Sequence, residues 1–134
     1  MHRINIDSEH FSYDLYLGRG LLAELKNELA SYSMPGMLIC DGNLAKAWQQ
    51  HLEELLANFE IQRLILRAGE ETKNSASLLE ILSGMQTAGL NRKSPLIAFG
   101  GGVIGDMSGL AASLYMRGIS VIQCPTSLLA MLDA

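Results

Sequence analysis

Residues 95–106 read Pro95-Leu96-Ile97-Ala98-Phe99-Gly100-Gly101-Gly102-Val103-Ile104-Gly105-Asp106, an apolar run that ends in three glycines and continues into a helical pattern. An apolar run without alternation is what a strand buried on both faces requires, and helices must then cover both sides of its sheet. The glycines mark a turn from that strand into a small-residue helix over 103–116. The stretch also carries the spacing GxGxxG directly after a strand, where the free N–H groups and dipole of a helix start favour a phosphate. Glycine there lets the backbone approach a pyrophosphate, and a tight turn packed under Gly109, Ala111 and Ala112 accounts for the same residues equally well. Two features set it apart from an ordinary dinucleotide fingerprint. It comes late in the chain, and the following strand closes in Gln123-Cys124 rather than in an acid.

Outward from this stretch, strand and helix patterns alternate. Residues 3–6 and 13–17 alternate apolar with polar side chains and predict an opening hairpin or strand pair. Leu21, Leu22, Leu25 and Leu29 recur at helical spacing, and Pro35-Gly36 turns the chain into the apolar strand 37–40. Leu44, Ala47, Trp48, Leu52, Leu55 and Leu56 keep one helical stripe over 44–57, with Trp48 a packing residue, and a strand follows over 61–66. A polar loop over 68–74 leads to a helix whose Leu78, Leu79, Ile81, Leu82 and Met85 are expected to face inward, with Ser75 as its expected N-cap and Gly89 as its stop. Residues 120–124 form the last strand. The expected fold class is therefore α/β: an open, mostly parallel sheet flanked by helices, doubly wound, over residues 1–134 as one domain without internal repeats.

Composition narrows the function. A chain of 134 residues with 49% hydrophobic content buries a real core, which argues against disorder. A net charge of −4 argues against a nucleic-acid or anionic-membrane surface, which would need clustered Lys and Arg. Cys40 and Cys124 each end an expected strand and form no CxxC pair, which suits core filling in a reducing compartment. Asp7, Glu9 and His10 interrupt the apolar run a signal peptide needs, and no stretch reaches membrane-spanning length, so a cytoplasmic location is expected. His2, His10 and His51 show no metal-ligand spacing, and no metal is assigned to this chain.

Three blocks together make the pattern specific. Gly100-Gly101-Gly102-Val103-Ile104-Gly105-Asp106, then Tyr115-Met116-Arg117-Gly118, then Gln123-Cys124-Pro125-Thr126-Ser127-Leu128-Leu129 resemble, in order and spacing, the central block of the 3-dehydroquinate synthases. Gly69-Glu70-Glu71-Thr72-Lys73 resembles that family's Gly-Glu-x-x-Lys loop, and Asp41-Gly42-Asn43 its adenosine-side turn. The resemblance implies a Rossmann-like NAD-binding domain of the dehydroquinate synthase type. It implies an enzyme of the shikimate pathway that converts a seven-carbon sugar acid phosphate, 3-deoxy-D-arabino-heptulosonate 7-phosphate, to 3-dehydroquinate and phosphate. In that reaction NAD oxidises a hydroxyl, phosphate is eliminated, the product is reduced again and the ring closes.

By the same resemblance Gly101, Gly102, Val103, Ile104, Gly105 and Asp106 hold the pyrophosphate and ribose side of NAD, and Asp41, Asn43, Glu70, Lys73, Thr126 and Ser127 complete the cofactor site. Arg117 meets substrate phosphate, across a homodimer interface, and Asp133 contacts substrate. The family's zinc or cobalt ion is held by a glutamate and two histidines of a helical domain whose ligands are absent here, so the isolated chain is expected to be inactive. Read without the family, Asp41 and Glu70 are equally solvated charges or caps, Lys73 a surface lysine, Thr126 and Ser127 caps of a short helix, and Arg117 a helix C-terminal charge. Two other identities remain open: a related sugar-phosphate cyclase or polyol dehydrogenase, and a noncatalytic nucleotide-binding module.

Overall fold

The structure is a computed structural model, describes residues 1–133, and falls into two compact units, Met1–Ser31 and the chain from Tyr32 onward. In the first, β1 (His2–Asp7) and β2 (Ser12–Leu17) pair antiparallel from His2↔Leu17 to Asp7↔Ser12. Strand alternation puts Arg3, Asn5 and Asp14 on one face, where Asp14 accepts from Arg3 Nη2 at 2.6 Å and from Asn5 Nδ2 at 3.0 Å. The Arg3 guanidinium holds the Asp14 carboxyl below its ordinary range. The opposite face carries Ile4, Tyr13, Leu15 and Leu17, all exposed. Helix α1 (Leu22–Leu29) buries Leu25 and Leu29.

The second unit holds four parallel strands, β3 (Gly36–Asp41), β4 (Ile61–Leu66), β5 (Leu96–Gly100) and β6 (Val121–Pro125), in the order β4-β3-β5-β6. The two central strands, β3 and β5, are almost wholly buried, as their unbroken apolar runs demand. Met37 and Ile39 of β3 and Leu96 and Ala98 of β5 share a core with Ile81 and Met85 of α4 (Ser75–Thr87) and with Ile104, Met107 and Ala111 of α5 (Gly102–Leu114). The alternate residues of the same strands face the other way, where Phe99 meets the Trp48 ring edge-on at 5.9 Å between centroids. Among the described residues no helix is long and apolar enough to cross a membrane.

Four local features differ from the sequence expectation. Leu79 of α4, expected to face inward, is 63% exposed, because the helix buries the face that carries Ile81 and Met85. The stripe over 44–57 is two helices, α2 (Gly42–Ala47) and α3 (Gln49–Leu56), broken at Trp48, whose φ of −111° and ψ of 12° leave the helical region while its ring packs against Phe99. The N-cap of α4 is Asn74, whose Oδ1 accepts from Ser77 N at 2.9 Å, and Ser75 is the first helical residue. Helix α5 stops at Leu114, short of Met116: the chain turns through Tyr115, and Met116 and Arg117 both adopt left-handed backbone with φ of 47° and 67°. Tyr115 anchors this turn by donating to Leu90 O at 2.8 Å, and Ile119 N donates to Ala112 O at 2.8 Å. Such non-glycine conformations cost about 1–3 kcal/mol each and persist only where surrounding contacts hold them.

Ser108 of α5 is fully buried, and among the described residues its Oγ meets no hydrogen-bond partner. Removing an unsatisfied buried hydroxyl relieves its desolvation, so Ser108→Ala is expected to raise unfolding stability by about 1 kcal/mol. Urea denaturation checks this; an unchanged or lower midpoint refutes it.

Burial pushes the Cys124 thiol up to about 11 from an ordinary 9.0. The folded state therefore keeps this proton after the unfolded chain has lost it, so the thiol's contribution is intact below pH 9.0 and lost as pH rises towards about 11. The expected loss across that window is roughly 2–3 kcal/mol. Denaturation midpoints for wild type and Cys124→Ala should diverge in slope only on the alkaline side; parallel profiles would contradict it.

Candidate dinucleotide site

The sheet order creates a switch point. From β3 the chain crosses to β4 on one side, and from β5 it crosses to β6 on the other, so the crossover helices part between β3 and β5. In open α/β sheets ligands collect beyond the carboxyl ends of strands at such a point. Asp41 ends β3 and Gly100 ends β5, and the β3–β5 register, Met37↔Leu96 to Ile39↔Ala98, carried on two residues sets them level.

Gly100 is a glycine because its neighbour forces it: a β-carbon there would lie 2.7 Å from Ile104 Cβ and Cγ1. That close approach brings α5 onto the end of β5. Thr126 N donates to Gly100 O at 2.9 Å and fixes the start of the next loop alongside. Among the described residues nothing lies within 4 Å of where a β-carbon on Gly102, the first residue of α5, would stand, so space opens at the helix start. Gly100, Gly101, Gly102, Gly105, Asp106, Gln123 and Pro125, with Ala130 of α6 (Leu128–Asp133), border a cleft of about 290 Å³. Its size suits part of a dinucleotide rather than a whole one, since sites for drug-sized ligands run from about 300 to 1,000 Å³.

The other sequence candidates distribute unevenly around this cleft. Lys73 Nζ lies 2.7 Å from Asp106 Oδ2 and 4.0 Å from Glu70 Oε1, which brings the loop after β4 beside the second turn of α5. Lys73 and Asp106 are both substantially solvent-exposed, and a pair of this kind contributes at most about 1 kcal/mol to stability. Asp41 spends one oxygen as the N-cap of α2, accepting from Leu44 N at 2.9 Å, and Asn43 is exposed in the first turn of that helix. Ser127 Oγ accepts from Ala130 N at 3.2 Å as a cap of α6, while the Thr126 side chain is exposed. Val103 is half-buried and Ile104 buried, and both lie in the first turn of α5, where backbone N–H groups have no partner within the helix.

Arg117 stands apart. Helix α5 has 13 residues, so at about 1.5 Å per residue its far end is roughly 20 Å from the glycine turn. The structure thus does not bring Arg117 into this cleft. Asp133 is the last residue of α6, and its side chain lies outside the described residues. Among the described residues no group of three or more His, Cys, Asp or Glu stands together to hold a metal ion.

Sequence reasoning missed two features. Gln123 borders the cleft, and its signal was present as a polar residue inside the short apolar strand Val-Ile-Gln-Cys-Pro. Four apolar side chains of α6, Leu128, Leu129, Met131 and Leu132, are exposed beside the cleft, between 56% and 75% of their full area.

The N-terminal family model of 3-dehydroquinate synthase matches residues 63–134. The chain belongs to the 3-dehydroquinate synthase family. It is 41% identical over 134 residues to the 3-dehydroquinate synthase of Alkaliphilus metalliredigens, covering all of this chain and 37% of that relative. It is 35% identical over 140 residues to that of a Synechococcus species, again covering all of this chain and 38% of the relative. The chain thus spans somewhat over a third of the length of these dehydroquinate synthases. Among solved structures, a 2-epi-5-epi-valiolone synthase from Streptomyces hygroscopicus with NAD+ and Zn2+ bound superimposes with a TM-score of 0.82 at 30% identity, over 98% of this chain and 37% of that one. A 2-deoxy-scyllo-inosose synthase superimposes at 0.85 with 23% identity, over 98% of this chain and 37% of that one, a likeness of fold.

Proposed function

We propose that this chain forms the dinucleotide-binding part of a 3-dehydroquinate synthase, with NAD held across the carboxyl ends of β3 and β5. The observation that carries the reading is the open first turn of α5 at the switch point, with glycines where a pyrophosphate would press against backbone. Residues 101–104 would offer N–H groups to the pyrophosphate, with Gly105, whose own N–H is spent on Gly101 O at 3.0 Å, keeping the turn open, and Lys73 would add a cation while Asp106 orients it. Asp41, with an oxygen left over from its cap, and Asn43 would meet the adenosine ribose, with Glu70, Thr126 and Ser127 lining the remaining rim.

When bound, NAD supplies a reversible hydride acceptor for a hydroxyl of the sugar acid phosphate. This chain's own residues bind the cofactor, orient it and keep one wall of the cleft dry. The described residues do not fit the zinc or cobalt of the family, because they hold no cluster of ligands. Dehydroquinate synthesis rather than another cyclisation is supported by identities of 41% and 35% to dehydroquinate synthases, against 30% and 23% to the solved cyclases of other substrates. Arg117, displaced from this cleft on a strained turn, would serve substrate phosphate of a second subunit in a homodimer, and Asp133 would contact substrate. The exposed leucines of α6 offer an apolar surface for further protein mass.

Calorimetric titration of the chain with NAD tests the reading. Saturable heat with one site per chain is expected, and absence of saturable heat at millimolar NAD would overturn it.

A further inference from the structure

Helix α5 crosses β6 with Gly105 and Gly109 turned toward Gln123. A β-carbon on Gly105 would stand 3.1 Å from Gln123 Oε1, and one on Gly109 would stand 3.7 Å from Nε2. These two glycines, one helical turn apart, leave a shallow bed in which the Gln123 amide lies. Nε2 donates to Gly105 O at 3.2 Å. That bond also fixes which way the amide faces, since the reverse orientation would set two carbonyl oxygens against each other. Among the described residues no donor reaches Oε1. The residue therefore presents an acceptor to the cleft that it lines, next to a helix start that presents donors.

The two kinds of group select different parts of a ligand. N–H groups suit phosphate oxygens, whereas a carbonyl oxygen repels them and suits a hydroxyl. We propose that Gln123 is a specificity-determining residue of this cleft, its Oε1 accepting a hydrogen bond from a sugar hydroxyl of the bound dinucleotide while its Nε2 keeps the amide seated on α5. The proposal rests on the dinucleotide reading above and adds to it a residue and a recognised group. An acid at the end of a strand takes ribose hydroxyls in ordinary dinucleotide folds. Here Asp41 ends β3 as such an acid, and the Gln123 amide adds a neutral acceptor to the site.

The test uses the full chain, with NAD and inorganic pyrophosphate as probes, the second having no sugar hydroxyl. Gln123→Met keeps the length of the side chain and removes the acceptor. It is expected to weaken NAD about tenfold, the usual worth of one such bond, and to leave pyrophosphate binding, followed by amide shifts of residues 101–105, unchanged. Gln123→Glu provides a second measurement should the methionine variant fold poorly. Its ionised carboxylate loses the donor and repels phosphate, but when protonated it restores both a donor and an acceptor. NAD affinity relative to wild type should then recover as pH is lowered from about 8 to about 4, through the carboxyl's titration.

Equal NAD affinity in wild type and Gln123→Met would overturn the inference and leave the dinucleotide reading standing. Equal weakening of NAD and pyrophosphate would also overturn it, assigning Gln123 to the shape of the turn instead. Failure of wild type to bind NAD at all would remove both.

Discussion

Gly102→Asp is expected to abolish NAD binding while leaving the fold intact or slightly more stable. The position has open space, nothing lying within 4 Å of an added β-carbon, and its backbone is ordinary helix. An acid in the first turn of a helix also meets the positive end of the dipole, worth about 0.3–1 kcal/mol. The same carboxylate would stand where the pyrophosphate belongs. Two unit charges about 4 Å apart near a protein surface repel by roughly 4 kcal/mol, so affinity should fall at least about a hundredfold. Calorimetry with NAD, paired with a thermal melt, reads both effects. Equal NAD affinities with intact folds would remove the helix start from the site.

Gly100→Val is expected to do the reverse and damage the fold first. Its β-carbon would lie 2.7 Å from Ile104 Cβ, an atom attached directly to the helix backbone and unable to swing away as a side-chain tip could. Either α5 shifts off β5 or the turn opens, and α5 carries Ile104, Met107, Ala111 and Ala112 of the core. Overpacking of this kind costs about 3 kcal/mol or more, a large share of a small domain's stability. The denaturation midpoint should drop sharply, with loss of expression at higher temperature. A midpoint within about 0.5 kcal/mol of wild type, the range of an ordinary surface change, would show that the turn is not held as described.

These two glycines, two residues apart in one motif, thus do different work. The spacing GxGxxG shows that glycine matters and does not say why at each place. Gly100 and Gly105 admit neighbours, Ile104 and Gln123, whereas Gly102 leaves room for something outside the chain.

Much of the fold was legible in the sequence, because its signals are local. The unbroken apolar runs of β3 and β5 report burial on both faces, the glycines mark the turn at the strand end, and the alternation of residues 3–6 and 13–17 reports strand conformation through a period set by backbone geometry, although the apolar face of that hairpin is exposed. Of the family blocks, residues 100–102, Gly105, Asp106, Gln123 and Pro125 line the cleft, whereas residues 69–73 come beside it through Lys73 on Asp106. The helix break at Trp48 was not legible: its apolar spacing continues smoothly, and the break comes with packing against Phe99, about 50 residues further on. The early stop of α5 was hidden in the same way, because the Tyr115 hydroxyl is satisfied by Leu90 O from another loop.

What the sequence by itself determined is the α/β class, the glycine turn and the family, all written in short-range pattern. Tertiary structure alone decided which residues share the cleft. It set Lys73 against Asp106 and gave one oxygen of Asp41 to a helix cap. It carried Arg117 a helix length away and seated Gln123 on two glycines of α5. Each of these depends on where distant segments meet through side-chain contact, and spacing along the chain carries no such distance.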